Sequence, residues 1–475
     1  EILARIRERT LDLVAEIYDI WHGDLGVALV ESGIRYLTRE QWTDKQRRWL
    51  LGYFQNEIQP VLSPLGLDPS HPFPRILNKT LNLAVVLEGR DAFGREGHMA
   101  LVRAPRSLPR IIKLPAEVSG GDGDFVFLAE VLQAFADEIF PGFEVCASYQ
   151  FRVTRNSELV VEEAEVENLA RALSEELVGR GYARPVRLEV GADCPRAITD
   201  MLIANFQLEE ADVYRCDGPV NIIRASLIYD QVDRPELKFP RFTPRLSPAF
   251  GKGVNEFDVL SVRDVLLHHP YESFASVVEL LRRASQDPGV LAIKQTLYRA
   301  GKDSPLVDLL VEAARNGKDV TVVIELRARF DEEANIGLAN RLQEAGVQVV
   351  YGVVGYKTHA KMLLIVRRES GCLHRYVHLS TGNYHQGNSR GYTDIGLMTA
   401  DPEIGEDIHK VFQQLSGLGP MIQLKRLLHS PFTLYSSVMG KIEREIEHAR
   451  NGRPGRIVAK LNALNEAHVV EALYR

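Results

Sequence analysis

Apolar residues at helical spacing open the chain, and the same periodicity returns after a short polar stretch. Residues 1–22 carry apolar side chains on one face of a predicted helix: Ile2, Ile6, Leu13, Ile17 and Ile20. Thr38 and Gln41 resemble a capping box ahead of a second predicted helix over residues 42–54. Proline-rich residues 60–74 then form a predicted linker. We therefore predict an incomplete helical amino-terminal domain over residues 1–60.

Strand-like runs replace the helical periodicity after this linker. Residues 81–88, 99–102 and 186–190 are apolar runs typical of strands. Seven Glu residues fall between positions 158 and 176. They predict a solvated helix face over residues 162–177 rather than a metal site. The mixture of strands and helices predicts an α+β head domain over residues 61–247.

Apolar runs and helical patterns alternate at short intervals after the proline-rich residues 239–248. Predicted strands cover residues 290–295, 320–325, 347–351, 357–366 and 376–379. Predicted helices cover residues 306–316, after the Ser304-Pro305 cap, and residues 332–345. This βαβ pattern predicts a largely parallel sheet covered by helices. We assign residues 248–425 to this α/β domain.

An internal similarity marks the last fifty residues. The segment VLAIK at 290–294 resembles RIVAK at 456–460, and both follow a proline-glycine pair. The segment SPLVDLL at 304–310 resembles AHVVEAL at 467–473 at a nearly matching offset. Chance similarity of two βα units remains an alternative. We predict that residues 426–475 begin a second α/β domain that is cut off at Arg475, and that the amino end is also incomplete.

Composition and charge exclude several classes of protein. The 475 residues are 45% hydrophobic and 25% charged, as expected of globular domains. An apolar run long enough to span a bilayer is missing from the sequence, so we do not expect an integral membrane protein. Four widely spaced cysteines indicate neither a disulfide framework nor a zinc site. They favour a cytoplasmic location, and peripheral association with the inner membrane stays open. The net charge of −7 argues against nucleic-acid binding.

A histidine and a lysine open the apolar run KTHAKMLLIV at 357–366. Alternation along a strand predicts that His359 and Lys361 share one face. His378 ends the next predicted strand and leads into the small polar loop STGN at 380–383. Six Lys or Arg residues and one acid lie between Tyr356 and Tyr392, so the local field suits a phosphate ligand.

Two arginines follow the first two strands of this domain. Arg299 comes after strand 290–295 and Arg329 after strand 320–325. Loops at the carboxyl ends of parallel strands gather at one edge of a sheet, where ligands bind. A guanidinium group there can bind two oxygens of one phosphate. Both arginines are therefore predicted at the phosphate site. The pair His268-His269 has no matching partner in sequence and is predicted to form a turn.

Five segments together resemble the long, ATP-dependent polyphosphate kinases, whose catalytic domains are similar to the phospholipase D superfamily. These segments have the order and spacing found in that family: VLAIKQTLYR at 290–299, ELRARFDEEANI at 325–336, KTHAK at 357–361, YVHLSTGNY at 376–384 and YTDIGL at 392–397. The resemblance covers essentially the whole chain and is most specific from 255 to 402. It implies a multidomain α/β and α+β protein that transfers the ATP γ-phosphate reversibly to polyphosphate.

The resemblance also implies a role for each matching residue. His359 would be the phosphorylated histidine, with His378 and Lys361 as further catalytic residues. Tyr392 and Asp394 would belong to the ATP site, where Asp394 would orient an imidazole. Arg299 and Arg329 would lie at the Mg²⁺ site, with their contacts running through phosphate because arginine is a poor metal ligand. The family further implies Mg²⁺ as cofactor, ATP, ADP and polyphosphate as partners, and a homodimer or homotetramer.

Departures from these families leave two alternatives open. Phospholipase D enzymes have an Asp five residues after the lysine, where this chain has Val366; polyphosphate kinases share that absence. Polyphosphate kinases also draw an Asn, an Arg and a His from segments that this chain does not contain, so the chain alone is predicted to have incomplete activity. The alternatives are a phospholipase D-type phosphodiesterase or phosphatidyltransferase and a non-catalytic polyphosphate-binding protein.

Overall fold

A computed structural model describes most of the chain. It covers residues 1–67, 72–90, 94, 97–156, 169–180, 183–251, 253–299, 304–328, 330–353, 355–417 and 422–475. The chain divides into two compact units. The first comprises residues 1–161 and 175–240, and the second comprises residues 162–174 and 241–475. The division at Pro240 falls inside the proline-rich segment that separates the two sequence patterns.

The first unit combines helices with two sheets. Its described strands are β1 (Arg35–Tyr36), β2 (Leu65–Gly66), β3 (Asn82–Glu88), β4 (Met99–Arg103), β5 (Ile111–Lys113), β6 (Asp124–Phe127), β7 (Glu144–Arg155), β8 (Pro185–Gly191) and β9 (Val213–Cys216). Its helices are α1 (Ile2–Asp19), α2 (Gly26–Glu31), α3 (Asp44–Tyr53), α4 (Ala116–Ser119), α5 (Leu128–Ala134), α6 (Ala136–Ile139), α8 (Arg196–Phe206) and α9 (Ile228–Gln231). Helix α7 (Leu169–Arg180) contains residues of both units.

Local sequence explains several of these elements. The predicted capping box of Thr38 and Gln41 is present and begins a short 3₁₀ turn, while Thr43 and Gln46 form a second box that begins α3. Along β3, Leu83 and Val85 pack into one core while Ala84 packs into another. The sheet ordered β2-β4-β3-β7-β8-β9 is therefore covered on both faces. Part of the predicted acidic helix, residues 162–168, lies outside the described residues.

The second unit contains one mixed sheet with helices around it. Its described strands are β10 (Val265–His269), β11 (Val290–Leu297), β12 (Asp319–Ile324), β13 (Gln348–Val350), β14 (Lys361–Glu369), β15 (Cys372–Ser380) and β16 (Asp394–Thr399). Its helices are α10 (Glu256–Leu260), α11 (Ala275–Gln286), α12 (Pro305–Arg315), α13 (Glu332–Glu344), α14 (Asn388–Gly391), α15 (Pro402–Ser416), α16 (Leu434–Arg450) and α17 (Ala467–Tyr474).

The prediction of a largely parallel sheet is wrong. In the described residues the strand order is β10-β16-β15-β14-β11-β12-β13, and only the pairs β11–β12 and β12–β13 are parallel. Strands β14, β15 and β16 pair antiparallel. For β14 and β15 the reason is a short connection: a turn at Ser370 and Gly371 joins them, too short for the crossover that a parallel pair needs.

One face of this sheet forms an apolar core. Met362 and Leu364 of β14 and Val377 of β15 pack with Ile408 and Phe412 of α15. Successive strand residues point to opposite faces. The intervening residues of β14 and β15, which include Lys361 and His378, therefore point to the other face.

The predicted second copy of the α/β domain forms only its helix in this chain. Residues 467–474 form α17, but residues 456–460 form no strand. A strand needs a neighbour to complete its backbone hydrogen bonds, and the described residues place no strand beside this segment. None of the described helices combines the length and apolar composition that crossing a membrane requires.

Candidate active site

One edge of the sheet in the second unit gathers the ends of several strands. Strands β11 and β12 are parallel and pair Leu297 with Ile324 near their carboxyl ends. Strand β14 runs antiparallel to β11, so its first residue, Lys361, lies at the same edge. Lys361 in turn pairs with Ser380, the last residue of β15. The predicted convergence of loops at one edge is therefore confirmed, although two of the seven described strands, β14 and β16, run the other way.

His359 precedes β14 instead of belonging to it. The prediction that His359 and Lys361 alternate along one strand is therefore wrong. The His359 and Lys361 side chains both contact the ring of Tyr298, which directly follows β11. The His359 ring contacts the Tyr298 ring edge to face, with centroids 4.9 Å apart. The Lys361 ammonium lies 5.3 Å from the centre of the same ring.

Side chains from neighbouring strands explain why the strand begins only at Lys361. The backbone N–H of Thr358 donates to the Glu325 carboxylate at 2.6 Å. The Thr296 hydroxyl donates to the carbonyl of Ala360 at 2.7 Å and accepts the N–H of Met362 at 2.9 Å. The backbone around His359 therefore bonds to side chains where a strand would bond to backbone.

The electrostatic surroundings favour a neutral imidazole at His359. Burial lowers its pKa below the usual 6.5, and the positive charges of Lys361 and Arg299 lower it further. Burial also lowers the pKa of Lys361 to about 8, partly opposed by the Asp394 carboxylate. Only 7% of the Lys361 surface is exposed, and its ammonium donates to the carbonyl oxygen of His359 at 2.6 Å.

Arg299 is the second cation at this edge. Its guanidinium forms an ion pair with Asp331 at 2.9 Å, and both side chains are partly exposed. Arg329, the other predicted phosphate ligand, lies outside the described residues. The positive stretch between Tyr356 and Tyr392 is more dispersed than predicted. Arg367, for example, lies at the far end of β14 and is neutralised by Asp287 and Glu369.

His378 is fully buried on the same face of the sheet as Lys361. Its Nδ1 is 3.0 Å from the Tyr384 hydroxyl. Its Nε2 has no hydrogen-bond partner among the described residues. Burial lowers the pKa of His378 to about 3, so its ring is neutral. Residue 396 must be glycine here, because a Cβ would lie 2.7 Å from Nε2.

Asp394 and Tyr392 extend the site toward solvent. The Thr381 hydroxyl donates to the Asp394 carboxylate at 2.9 Å. A Cβ at position 382 would lie 2.5 Å from that carboxylate, so only glycine fits beside it. The Tyr392 ring is 62% exposed. It is therefore accessible to a ligand.

Four residues at this edge were missed by the sequence analysis. Tyr298, Thr296 and Glu325 hold or contact the segment around His359; they lie in two of the segments quoted for the family resemblance, but no role was assigned to them there. His269 was predicted in a turn. It ends β10 instead, is buried, and pairs with Asp394 in the sheet register.

The described side chains do not form a cage for a divalent cation. No group of three or more His, Cys, Asp or Glu residues is placed to hold a metal within the described ranges. The groups nearest His359 are an ammonium, a guanidinium and a phenol, none of which suits Mg²⁺.

Comparison with known proteins decides the family. The polyphosphate kinase middle domain matches residues 45–226, C-terminal domain 1 matches residues 255–420, and C-terminal domain 2 matches residues 427–475. The chain belongs to the polyphosphate kinase family. The Polyphosphate kinase of Xylella fastidiosa is 62% identical over the whole chain, which spans 68% of that protein. The Polyphosphate kinase of Pseudomonas aeruginosa is 52% identical, with 69% of its length covered.

A solved structure supports the same assignment. The crystal structure of Polyphosphate Kinase from Porphyromonas gingivalis superimposes on the whole chain with a TM-score of 0.83 at 28% sequence identity. The chain covers 69% of that structure. Family membership makes the chain part of a phosphotransferase. It also favours the first of the three functional hypotheses over a phosphodiesterase or a simple binding protein.

Proposed function

We propose that this polyphosphate kinase transfers the γ-phosphoryl group of ATP to polyphosphate through a phosphohistidine at His359. One observation carries the proposal: an accessible imidazole, held against Tyr298, lies beside the two cations Lys361 and Arg299 at the ligand-binding edge of the sheet. A neutral imidazole has the lone pair that attack on phosphorus requires. The lowered pKa of His359 keeps that form dominant at neutral pH.

Each half of the reaction exchanges one bond at phosphorus. In the first half an imidazole nitrogen attacks the γ-phosphorus, the bond to the β-phosphate oxygen breaks, and ADP leaves. In the second half a terminal oxygen of polyphosphate attacks, and the phosphorus–nitrogen bond breaks. Arg299 and Lys361 neutralise the charge on the transferring group in both halves. Mg²⁺ enters as part of the nucleotide substrate.

Other residues of the edge bind the nucleotide or support the site. The exposed ring of Tyr392 offers a stacking surface for the base, and we place Arg329 with Arg299 on the phosphates. Asp394 lies near enough to Lys361 to raise its pKa. We therefore assign it to orienting that ammonium. His378 is neutral and buried, so its contribution is a hydrogen bond to Tyr384 rather than a charge.

Labelling with γ-labelled ATP tests the phosphohistidine directly. The full-length protein should acquire a label that is labile in acid and stable in base, as expected of a phosphoramidate, and the label should map to the peptide that contains His359. ATP labelled at the α-phosphate should leave no label. The proposal fails if the His359→Ala variant is still labelled, or if the label is stable in acid and labile in base like a phosphoserine.

The pH dependence of kcat/KM for ATP should be bell-shaped, because it reports ionisations of the free enzyme. Activity should fall as acid protonates His359, below its ordinary pKa of 6.5, since burial and two cations lower that pKa. Activity should also fall as the pH rises through about 8, where Lys361 loses its charge. The Lys361→Arg variant should lose this alkaline limb, because arginine stays charged. An unchanged alkaline limb in that variant would contradict the assignment.

A further inference from the structure

A buried carboxylate, which the proposed mechanism does not use, holds the segment that carries His359. Glu325 directly follows β12, and only 5% of its surface is exposed. One carboxylate oxygen accepts the N–H of Thr358 at 2.6 Å. The other accepts the N–H of Arg327 at 3.0 Å. Thr358 immediately precedes His359, so the carboxylate fixes the backbone next to the nucleophile.

Keeping an acid at this position is costly for the fold. Burial raises the pKa of Glu325, against the effect of its two backbone hydrogen bonds and the charge of Lys357. Space around it is also restricted. A Cβ added to Gly352, which has a φ of +61°, would lie 3.2 Å from the Thr358 hydroxyl and 3.6 Å from the Glu325 carboxylate. The contact between the Glu325 carboxylate and the backbone N–H of Thr358 therefore requires a buried acid and a glycine at position 352.

The opposite side of the segment is restrained in the same manner. Thr296 of β11 bonds through its hydroxyl to the backbone of Ala360 and Met362. His359 thus lies between two anchored residues, Thr358 and Ala360. The backbone that carries the imidazole is fixed on both sides, by side chains from two different strands.

Glu325 is also linked to Tyr298, the residue whose ring contacts His359. Asn335 of α13 donates from Nδ2 to the carbonyl of Glu325 at 2.8 Å and to the carbonyl of Tyr298 at 3.0 Å. Asn335 itself is buried. It fixes the spacing between Glu325, which holds the segment, and Tyr298, whose ring contacts His359.

We propose that Glu325 is a positioning residue that sets the direction in which the His359 imidazole meets the γ-phosphorus. The inference rests on the proposed function, because it requires His359 to be the nucleophile. Its physical basis is that in-line attack tolerates little misalignment: a displacement of about 1 Å costs on the order of 100-fold in rate. Among the described residues the Glu325 carboxylate bonds to the backbone of Thr358 and Arg327 and not to Arg299, Lys361 or Tyr392, so it should affect the reaction step and not ATP binding.

The Glu325→Gln variant tests this separation. Glutamine has nearly the same shape but only one accepting oxygen, so its amide nitrogen meets a backbone N–H and one anchor is lost. We expect kcat to fall about 10-fold to 100-fold, while KM for ATP changes less than about twofold. The rate of phosphohistidine formation in a single turnover should fall by the same factor as kcat. Glu325→Asp, which keeps the charge, should recover part of the rate.

Glu256→Gln is the matched control. Glu256 is another buried carboxylate of the same unit, paired with Arg283 and not in contact with the segment around His359. The Glu256→Gln variant should have a lower melting temperature and an unchanged single-turnover rate. If Glu325→Gln does not fold, the milder Glu325→Asp carries the test, with a smaller expected loss that is again confined to kcat.

Three outcomes would overturn one or the other claim. If the unaltered protein forms phosphohistidine and Glu325→Gln forms it equally fast, the positioning role is wrong while the proposed function stands. A fall in rate matched by an equal rise in KM would also refute the positioning role, because it would indicate lost binding. If the unaltered protein forms no phosphohistidine at His359, the proposed function itself fails.

Discussion

The His359→Ala variant should lose polyphosphate synthesis and the reverse reaction by the same factor, about 10⁴-fold or more. Removal of a covalent nucleophile has effects of this size in other enzymes. Synthesis and the reverse reaction both pass through the phosphohistidine, so the variant should lose both. Steady-state rates in each direction check the prediction, together with the melting temperature. The fold should be intact, because His359 is exposed and its ring contacts Tyr298 at the surface.

His374→Ala provides the control for this variant. His374 is also exposed and lies on β15, at the opposite end of that strand from Ser380. Its removal should leave both rates within about twofold of the unaltered protein, as for a surface change far from the site. Activity of His359→Ala within tenfold of the unaltered protein would exclude His359 as the nucleophile.

The Gly396→Ala variant should destabilise the second unit by about 2–6 kcal/mol. The added Cβ would lie 2.7 Å from Nε2 of His378, which has no free space around it. The ring can yield only by moving away from the Tyr384 hydroxyl, which gives up a buried hydrogen bond. Overpacking costs about 1–3 kcal/mol and an unmade buried hydrogen bond about 1–3 kcal/mol. Urea unfolding of the two proteins measures the difference.

Gly337→Ala is the corresponding control in the same unit. Gly337 lies inside α13, and an added Cβ there meets no atom within 4 Å. Alanine favours a helix over glycine by about 1 kcal/mol, so this variant should be slightly more stable. Equal effects of the two substitutions would show that the contact between residue 396 and His378 is not a constraint on the fold.

The sequence motifs brought the candidate residues together because they combine residue type with local spacing. The H-x-K pair, the second histidine before TGN and Arg299 could be placed at one sheet edge from strand periodicity alone. Element positions were also accessible: the helix predicted over residues 332–345 corresponds to Glu332–Glu344. These inferences needed only neighbours in sequence.

Contacts between distant residues could not be obtained in this way. Glu325 and Thr358 are 33 residues apart, and Thr296 and Ala360 are 64 apart. Nothing in the local pattern of either segment indicates the other. These bonds also displaced His359 from the strand, so the rule of alternating faces was applied to a residue that does not obey it.

Strand direction was the other feature that local patterns left undetermined. An apolar run has the same composition whichever way it points in a sheet. His269 illustrates the result: its position beside Asp394 depends on β10 pairing antiparallel with β16, at the edge of the sheet. The predicted helices between strands correctly indicated that β11, β12 and β13 are parallel. The short connection after β14 was the signal that β14 and β15 are antiparallel.

The burial of His378 limits what mutagenesis at that position can reveal. Replacing the ring with a small residue would open a void and leave the Tyr384 hydroxyl with only its 3.3 Å bond to the backbone carbonyl of residue 378, so turnover would suffer even if the imidazole never handled a proton. An inactive alanine substitution would therefore be uninformative about chemistry. Isosteric replacements that preserve the volume and one hydrogen bond, such as asparagine or glutamine, would separate architecture from reactivity.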